Sequence, residues 1–180
     1  MRSFKTEAII IKRNNFSESD RILTVFTRNN GKMKIKAKGV RKIISRRAPH
    51  IEPLNFSVLS LYNSKMPILT EAETLDSFED IKQDLRKVGF AYHVCELINE
   101  LCPEHQENRA VFALLLSTLE KIRTEANPRK AVREFEVELL TILGFWNKNL
   151  SSDNIHAIIE NIMEKKLKTA RILPLFDYSL

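Results

Sequence analysis

At Asp76 the spacing of apolar residues changes, and that change decides what the chain can fold into. Upstream, apolar side chains alternate or fill short β-branched runs, as extended chain requires. Downstream they recur at three- and four-residue intervals, as helices with one buried face require. Five strands are predicted upstream: Thr6–Lys12 (TEAIIIK), Arg21–Arg28 (RILTVFTR), Gly31–Gly39 (GKMKIKAKG), Leu54–Tyr62 (LNFSVLSLY) and Met66–Thr74 (MPILTEAET). Asn29-Asn30-Gly31 is a strong hairpin signal and Asn63-Ser64-Lys65 a second turn, while Arg13–Asp20 reads as a polar loop with Phe16 at its centre. Five short strands in about 70 residues fit a small closed barrel, of the OB type or, nearly as well, SH3-like.

Past Asp76, Ile81, Leu85, Val88, Tyr92, Cys95, Ile98 and Cys102 mark one face of a long helix ended by Pro103. A second helix covers Val111–Ile122, with Phe112, Leu115, Leu116 and Leu119 inside. Asn127-Pro128 opens a third, which buries Val132, Phe135, Leu139 and Ile142 and closes at Gly144. A fourth starts at Ser152-Asp153 and runs to about Leu167, with Ile155, Ile158, Ile159 and Ile162 inside. The expected organisation is a multi-domain α+β chain: a barrel over residues 1–76, an all-α helical domain over 77–173 and a tail over 174–180.

The third strand carries the functional signal. Lys32, Lys34, Lys36 and Lys38 alternate with Met33, Ile35 and Ala37, so a strand sets four ammonium groups on one face and apolar groups on the other. Arg41, Lys42, Arg46 and Arg47 follow in a loop after Gly39. The first 50 residues hold 14 Lys and Arg against three acidic residues, whereas the other 130 hold 15 basic and 20 acidic. A basic half joined to a mildly acidic one suggests separate tasks, the first directed at a polyanion. Phosphates neutralised by Lys and Arg give sequence-independent affinity, and an aromatic ring beside the charge gives bases a stacking platform. Phe16 is the best placed for that, with Phe56 and Tyr62 behind it.

Other chemistry finds little support. No apolar run reaches the 18 or so residues of a membrane span, and the N-terminus has no small-residue cleavage site, so a cytoplasmic protein is expected. There is no GxxxxGK[ST] or GxGxxG motif. His50, His93, His105 and His156 are scattered without an HxxxH or HExxH pair, so no metal ligand set, cofactor or catalytic residue is expected. Cys95 and Cys102, seven apart in one helical pattern, are two turns apart on one face, too far for a disulfide and read as small core residues. Binding rather than turnover is the expectation.

The run TEAIIIKRNNFSESDRILTVFTRNNGKMKIKAKGVRK resembles the opening of the RecO family of bacterial recombination mediators. The resemblance lies in Thr6-Glu7, Glu18-Ser19-Asp20-Arg21, Thr27, Gly31-Lys32 and Lys38-Gly39-Val40-Arg41. It continues in Glu52-Pro53, Leu69–Phe78 (LTEAETLDSF), Glu134–Gly144 and Lys166-Leu167-Lys168-Thr169. It implies an N-terminal OB-fold barrel followed by a helical domain, DNA repair by binding single- and double-stranded DNA, and ATP-independent annealing of complementary strands. It also implies work with RecR and single-strand-binding protein to load RecA, in the cytoplasm on the nucleoid. Carried over, the DNA surface would be Lys32, Lys34, Lys36, Lys38, Arg41, Lys42, Arg46 and Arg47, with Phe16. Arg129, Lys130 and Arg133, at the start of the third helix, would meet the acidic tail of single-strand-binding protein.

Two departures from the family pattern stand out. Asn147–Ser152 leads straight to the last helix with no CxxC, so the four-cysteine zinc module of many relatives is expected to be missing. Pro174–Leu180 (PLFDYSL) runs past the usual end. The alternatives are an RNA-binding OB module in translation or RNA turnover, and a scaffold whose basic face meets an acidic protein.

Overall fold

The structure, a computed structural model, describes residues 3–146 and 155–169. The linker at Asn147–Ser152 and the tail at Pro174–Leu180, on which two of the expectations fall, lie outside the described residues. The chain divides into two units, one formed by residues 1–78 with Cys102–Arg109 and the other by Glu79–Leu101 with the chain from Ala110 onward.

In the first unit, β1 (Ser3–Phe16), β2 (Asp20–Thr27), β3 (Gly31–Ala37), β4 (Phe56–Tyr62) and β5 (Ile68–Asp76) close a barrel in the order β1-β2-β3-β5-β4. β1 pairs antiparallel with both β2 and β4, and β3 meets β5 in parallel at Lys36 and Ile68. A sequential meander would instead set β3 beside β4, so the strand order decides for the OB fold over the SH3-like barrel. Inside lie alternate residues of each strand, among them Ile10, Leu23, Val25, Met33, Ile35, Leu59 and Leu61. β1 is long enough to serve two neighbours because its pairing with β2 shifts register between Ile10 and Lys12, where a bulge bends the strand.

β1 runs further than expected. Asn14, Asn15 and Phe16 pair with Ile22, Arg21 and Asp20, so Phe16 ends a strand instead of centring a loop, and the turn shrinks to Ser17–Ser19. β3 also acquires a neighbour that its own sequence does not announce. The segment Cys102–Arg109 lies along its first half: Glu104 bridges to Lys32, and the His105 N–H donates to the Lys32 carbonyl at 2.8 Å. A methyl group on Gly31 would stand 1.9 Å from the Gln106 carbonyl oxygen, and Gly31 has φ +65°, so this contact requires glycine twice over.

The second unit is helical: α1 (Glu79–Lys82), α2 (Leu85–Leu101), α3 (Arg109–Thr124), α4 (Pro128–Ile142) and α5 (Ile155–Met163). The single long helix expected from Ile81 to Cys102 is broken. Asp84 accepts from the N–H groups of Arg86 and Lys87 at 2.9 and 3.2 Å and so starts α2 afresh, in a new phase. Leu85 is consequently 71% exposed and Tyr92 half exposed, while Phe90, Val94, Cys95, Leu97 and Ile98 are buried. Cys102 falls beyond α2, in the barrel unit, so the two cysteines do not share a helix face. Both thiols are free and buried, and burial pushes Cys95 up to about 12 and Cys102 to about 11.

α4 begins at Asn127-Pro128 as expected, although the Asn127 side chain makes no capping hydrogen bond. It ends as Gly144 takes φ +80° and the Phe145 N–H reaches back to the Leu140 carbonyl. Among the described residues, no helix is long and apolar enough to cross a membrane.

Candidate nucleic-acid interface

The alternation in β3 sends Met33, Ile35 and Ala37 into the barrel and the lysines outward, but the four lysines do not form one solvent face. Lys32 is only 8% exposed, because Cys102–Arg109 lies over it. Lys34 is exposed and pairs with Glu104 at 2.8 Å, which holds the Glu104 carboxyl below its usual range. The hairpin half of the lysine strand is therefore spoken for by the chain itself.

The other end of β3 is different. Lys36 pairs with Asp20 at 3.3 Å and sits 4.7 Å from the centroid of the Phe16 ring, which is half exposed. Asp20 in turn accepts from the Gly39 N–H at 2.9 Å, the main reason its carboxyl lies below 3.8, with Lys36 adding to the effect. Gly39 turns here at φ +67°, a conformation glycine adopts freely. The Arg41 N–H donates to the Ser19 carbonyl and its guanidinium to the Ser17 carbonyl at 2.9 Å. These bonds fold the start of the β3–β4 connection over the β1–β2 turn.

Arg47 closes the loop from its far side. Its guanidinium spans two carbonyls, Leu69 and Lys38, each at 2.8 Å. Arg47 is thus a structural clamp and Arg41 is half committed to the same task. Lys38, Lys42 and Arg46 are exposed, with no ion pair from their side chains among the described residues. Between them stand Ile43 and Ile44, almost entirely exposed. In the sequence this stretch reads as a loop in which only the basic residues stand out, not the two adjacent isoleucines between them. Of the other aromatic candidates, Tyr62 is half exposed and Phe56 lies at the opposite end of β4 from it.

The basic triad at the start of α4 is largely satisfied within the helical unit. Arg133 lies 3.6 Å from the Glu136 carboxylate and Lys130 4.0 Å from Glu134, which Lys121 approaches to 2.8 Å. Arg129 and Lys130 are exposed.

Two histidines that look scattered in the sequence meet in this unit. The Nε2 atoms of His93 on α2 and His156 on α5 each lie 2.8 Å from the same Glu136 oxygen on α4. Burial would raise the Glu136 carboxyl, yet bonds from His156 and His93 hold it down at about 2, and Glu136 raises His156 in return. The only sequence signal for this meeting was a glutamate on the apolar side of α4, one residue from Phe135.

Comparison with known proteins covers both units. Residues 1–78 match the model of the recombination protein O N-terminal region and residues 82–146 that of its C-terminal region. A protein of Roseiflexus sp. (strain RS-1) named DNA repair protein RecO is 38% identical over 145 residues, 80% of this chain and 51% of the relative. Namesakes from Dehalococcoides mccartyi (strain CBDB1) and Acetivibrio thermocellus are 36% identical over 154 residues and 33% over 147. Those alignments cover 85% and 81% of this chain, and 61% and 59% of the relatives. The chain thus spans about half to three-fifths of the length of the curated relatives it matches. Because the barrel and the helical region are matched in order by the two halves of one family, the chain belongs to the RecO family.

Proposed function

We propose that this chain acts in DNA repair and recombination as a DNA-binding mediator, with the end of β3 and the β3–β4 connection as its contact surface. The observation that carries the reading is the clamped loop. Lys38, Lys42 and Arg46 are held outward by a scaffold that has used Arg47, Arg41 and Lys36 to build itself. Such a surface neutralises phosphates without reading sequence, and the Phe16 ring beside Lys36 offers a base a stacking partner. Ile43 and Ile44 give the same loop an apolar tip that can sit against unstacked bases.

Mechanistically, the loop would bind single- and double-stranded DNA and lower the repulsion between two strands, so that complementary sequences anneal without ATP. The chain works by binding and carries no catalytic residue in this reading. The relatives' name, DNA repair protein RecO, supports the repair role; the partners in this reading would be RecR, the tail of single-strand-binding protein and, through them, RecA. That work would take place in the cytoplasm, on the nucleoid. An acidic tail would meet Arg129 and Lys130, which are exposed on α4.

The test is annealing of complementary oligonucleotides coated with single-strand-binding protein, in the absence of ATP. Acceleration by the chain, lost when Lys38, Lys42 and Arg46 are replaced together, is the expected result. No acceleration with naked or coated strands would overturn the reading. An RNA-binding role predicts that matched RNA outcompetes single-stranded DNA, and a protein scaffold predicts negligible binding to either at physiological salt.

A further inference from the structure

The cluster around Glu136 contains a hydrogen-bond count that does not close with a neutral His93. The Thr169 hydroxyl lies 2.6 Å from a Glu96 carboxylate oxygen that also accepts from the Thr169 N–H at 2.9 Å. A carboxylate only accepts, so the hydroxyl gives its single proton to Glu96. His93 Nδ1 lies 2.7 Å from the same hydroxyl oxygen and must therefore donate to it. With its proton on Nδ1, neutral His93 points the lone pair of Nε2 at the Glu136 carboxylate 2.8 Å away. Two acceptors cannot face each other at that distance inside a protein. A cation has to lie between them, either a second proton on His93 or a metal ion.

We propose that this position is a binding site for a divalent transition metal of the zinc class, held by His93, Glu136 and His156. His156 Nε2 converges on the same Glu136 oxygen, and the three ligand atoms lie within 4.8 Å of one another. Two imidazoles and one carboxylate, with a fourth position left to water, is a donor set zinc accepts, at metal–ligand distances of about 2.0–2.2 Å. The pairs now at 2.8 Å would spread by about half an ångström to the spacing of ligands around a tetrahedral ion.

The surroundings suit such an ion. His93 and Glu136 are buried, while His156 is half exposed, so the ion can enter from solvent. The chain His93 Nδ1–H to Thr169 to Glu96 fixes the ring with Nε2 aimed at the shared Glu136 oxygen, as the outer partners of metal-bound histidines do. Arg133 approaches the other Glu136 oxygen, at 3.6 Å, which leaves the shared oxygen to the metal. Bound there, the ion would cross-link α5 to α2 and α4.

The experiment uses the whole chain, stripped with a chelator and then equilibrated with buffered Zn2+ or with Co2+. One ion per chain is expected by elemental analysis, with the visible absorption of four-coordinate cobalt and a rise in Tm of roughly 5 °C or more under zinc excess. His156→Ala should weaken binding at least about 100-fold, and although loss of its bond to buried Glu136 lowers the metal-free Tm, zinc should no longer raise it. Thr169→Val, which keeps all three ligands, should weaken it roughly 10–100-fold. Absence of a stoichiometric ion and of any zinc-dependent Tm shift would show that a proton alone fills the position. An ion retained by His156→Ala at undiminished affinity would place the metal elsewhere. Either result overturns the proposal.

Discussion

Replacing Lys38, Lys42 and Arg46 together with glutamine tests the DNA surface without touching its scaffold. All three side chains stand in solvent without an ion pair among the described residues, so the folded chain should keep its stability to within about 0.5 kcal/mol. Each phosphate neutralised on a single strand contributes about 0.7 to the slope of log K against log salt concentration. Three lost contacts flatten that slope by about 2. At roughly 0.1 M salt they also remove about two decades of affinity, so Kd should rise roughly 100-fold, with the gap closing toward about 1 M. Fluorescence anisotropy of a labelled oligonucleotide over a salt series measures both quantities at once. Parallel salt plots for the variant and the parent would refute the reasoning, because they would mean that none of the three cations meets a phosphate. Arg47 and Lys36 are left out of the set because changing them would loosen the loop and confound binding with folding.

Arg47→Ala should cost about 2 kcal/mol in chemical denaturation, since it leaves the Leu69 and Lys38 carbonyls without their donor; a change under about 0.5 kcal/mol would mean that the clamp is dispensable. Gly31→Ala should cost several kcal/mol, on the order of an overpacked core site with a strained φ, and expose the His105 amide to hydrogen exchange. Asp20 has its pKa lowered by folding, so its contribution is complete above the unfolded value and drains away as pH falls through the folded one. Melting followed toward acid should therefore lose a pH-dependent component in Asp20→Asn, and equal slopes for both proteins would contradict the Gly39 bond. Phe16→Ala should weaken binding of single-stranded DNA by about 1–3 kcal/mol with little change in its salt slope, and an unchanged affinity would remove the ring from the interface.

Much of the architecture was legible because it rests on local pattern. The Lys–apolar alternation from Lys32 to Ala37 placed Met33 and Ile35 in the barrel, and Asn127-Pro128 and Gly144 marked the two ends of α4. What escaped depends on residues far apart in the chain. Nothing near Lys32 announces that residues 102–109 lie over it, so four alternating lysines read as four exposed charges. Arg47 looks like Arg46 in sequence, yet one reaches two carbonyls and the other reaches solvent. His93 and His156 stand 63 positions apart and meet only because α4 brings Glu136 between them. The break at Asp84 was the exception: an Asp just ahead of an apolar-periodic stretch is a local helix-start signal, and the continuous apolar spacing masked it.

The segment Cys102–Arg109 has a consequence for how the molecule is made. The chain leaves the barrel unit after Phe78, spends Glu79–Leu101 in the helical unit, and returns for these eight residues before leaving again. A ribosome that has delivered the fifth strand has therefore not delivered everything the barrel needs. The first half of β3 waits for a partner about 25 residues further on, and α1 and α2 emerge in the interval. A fragment cut at the change of period near Asp76 would carry β3 with an unpaired edge and with Lys32 uncovered. Such a fragment should self-associate more readily than the longer chain.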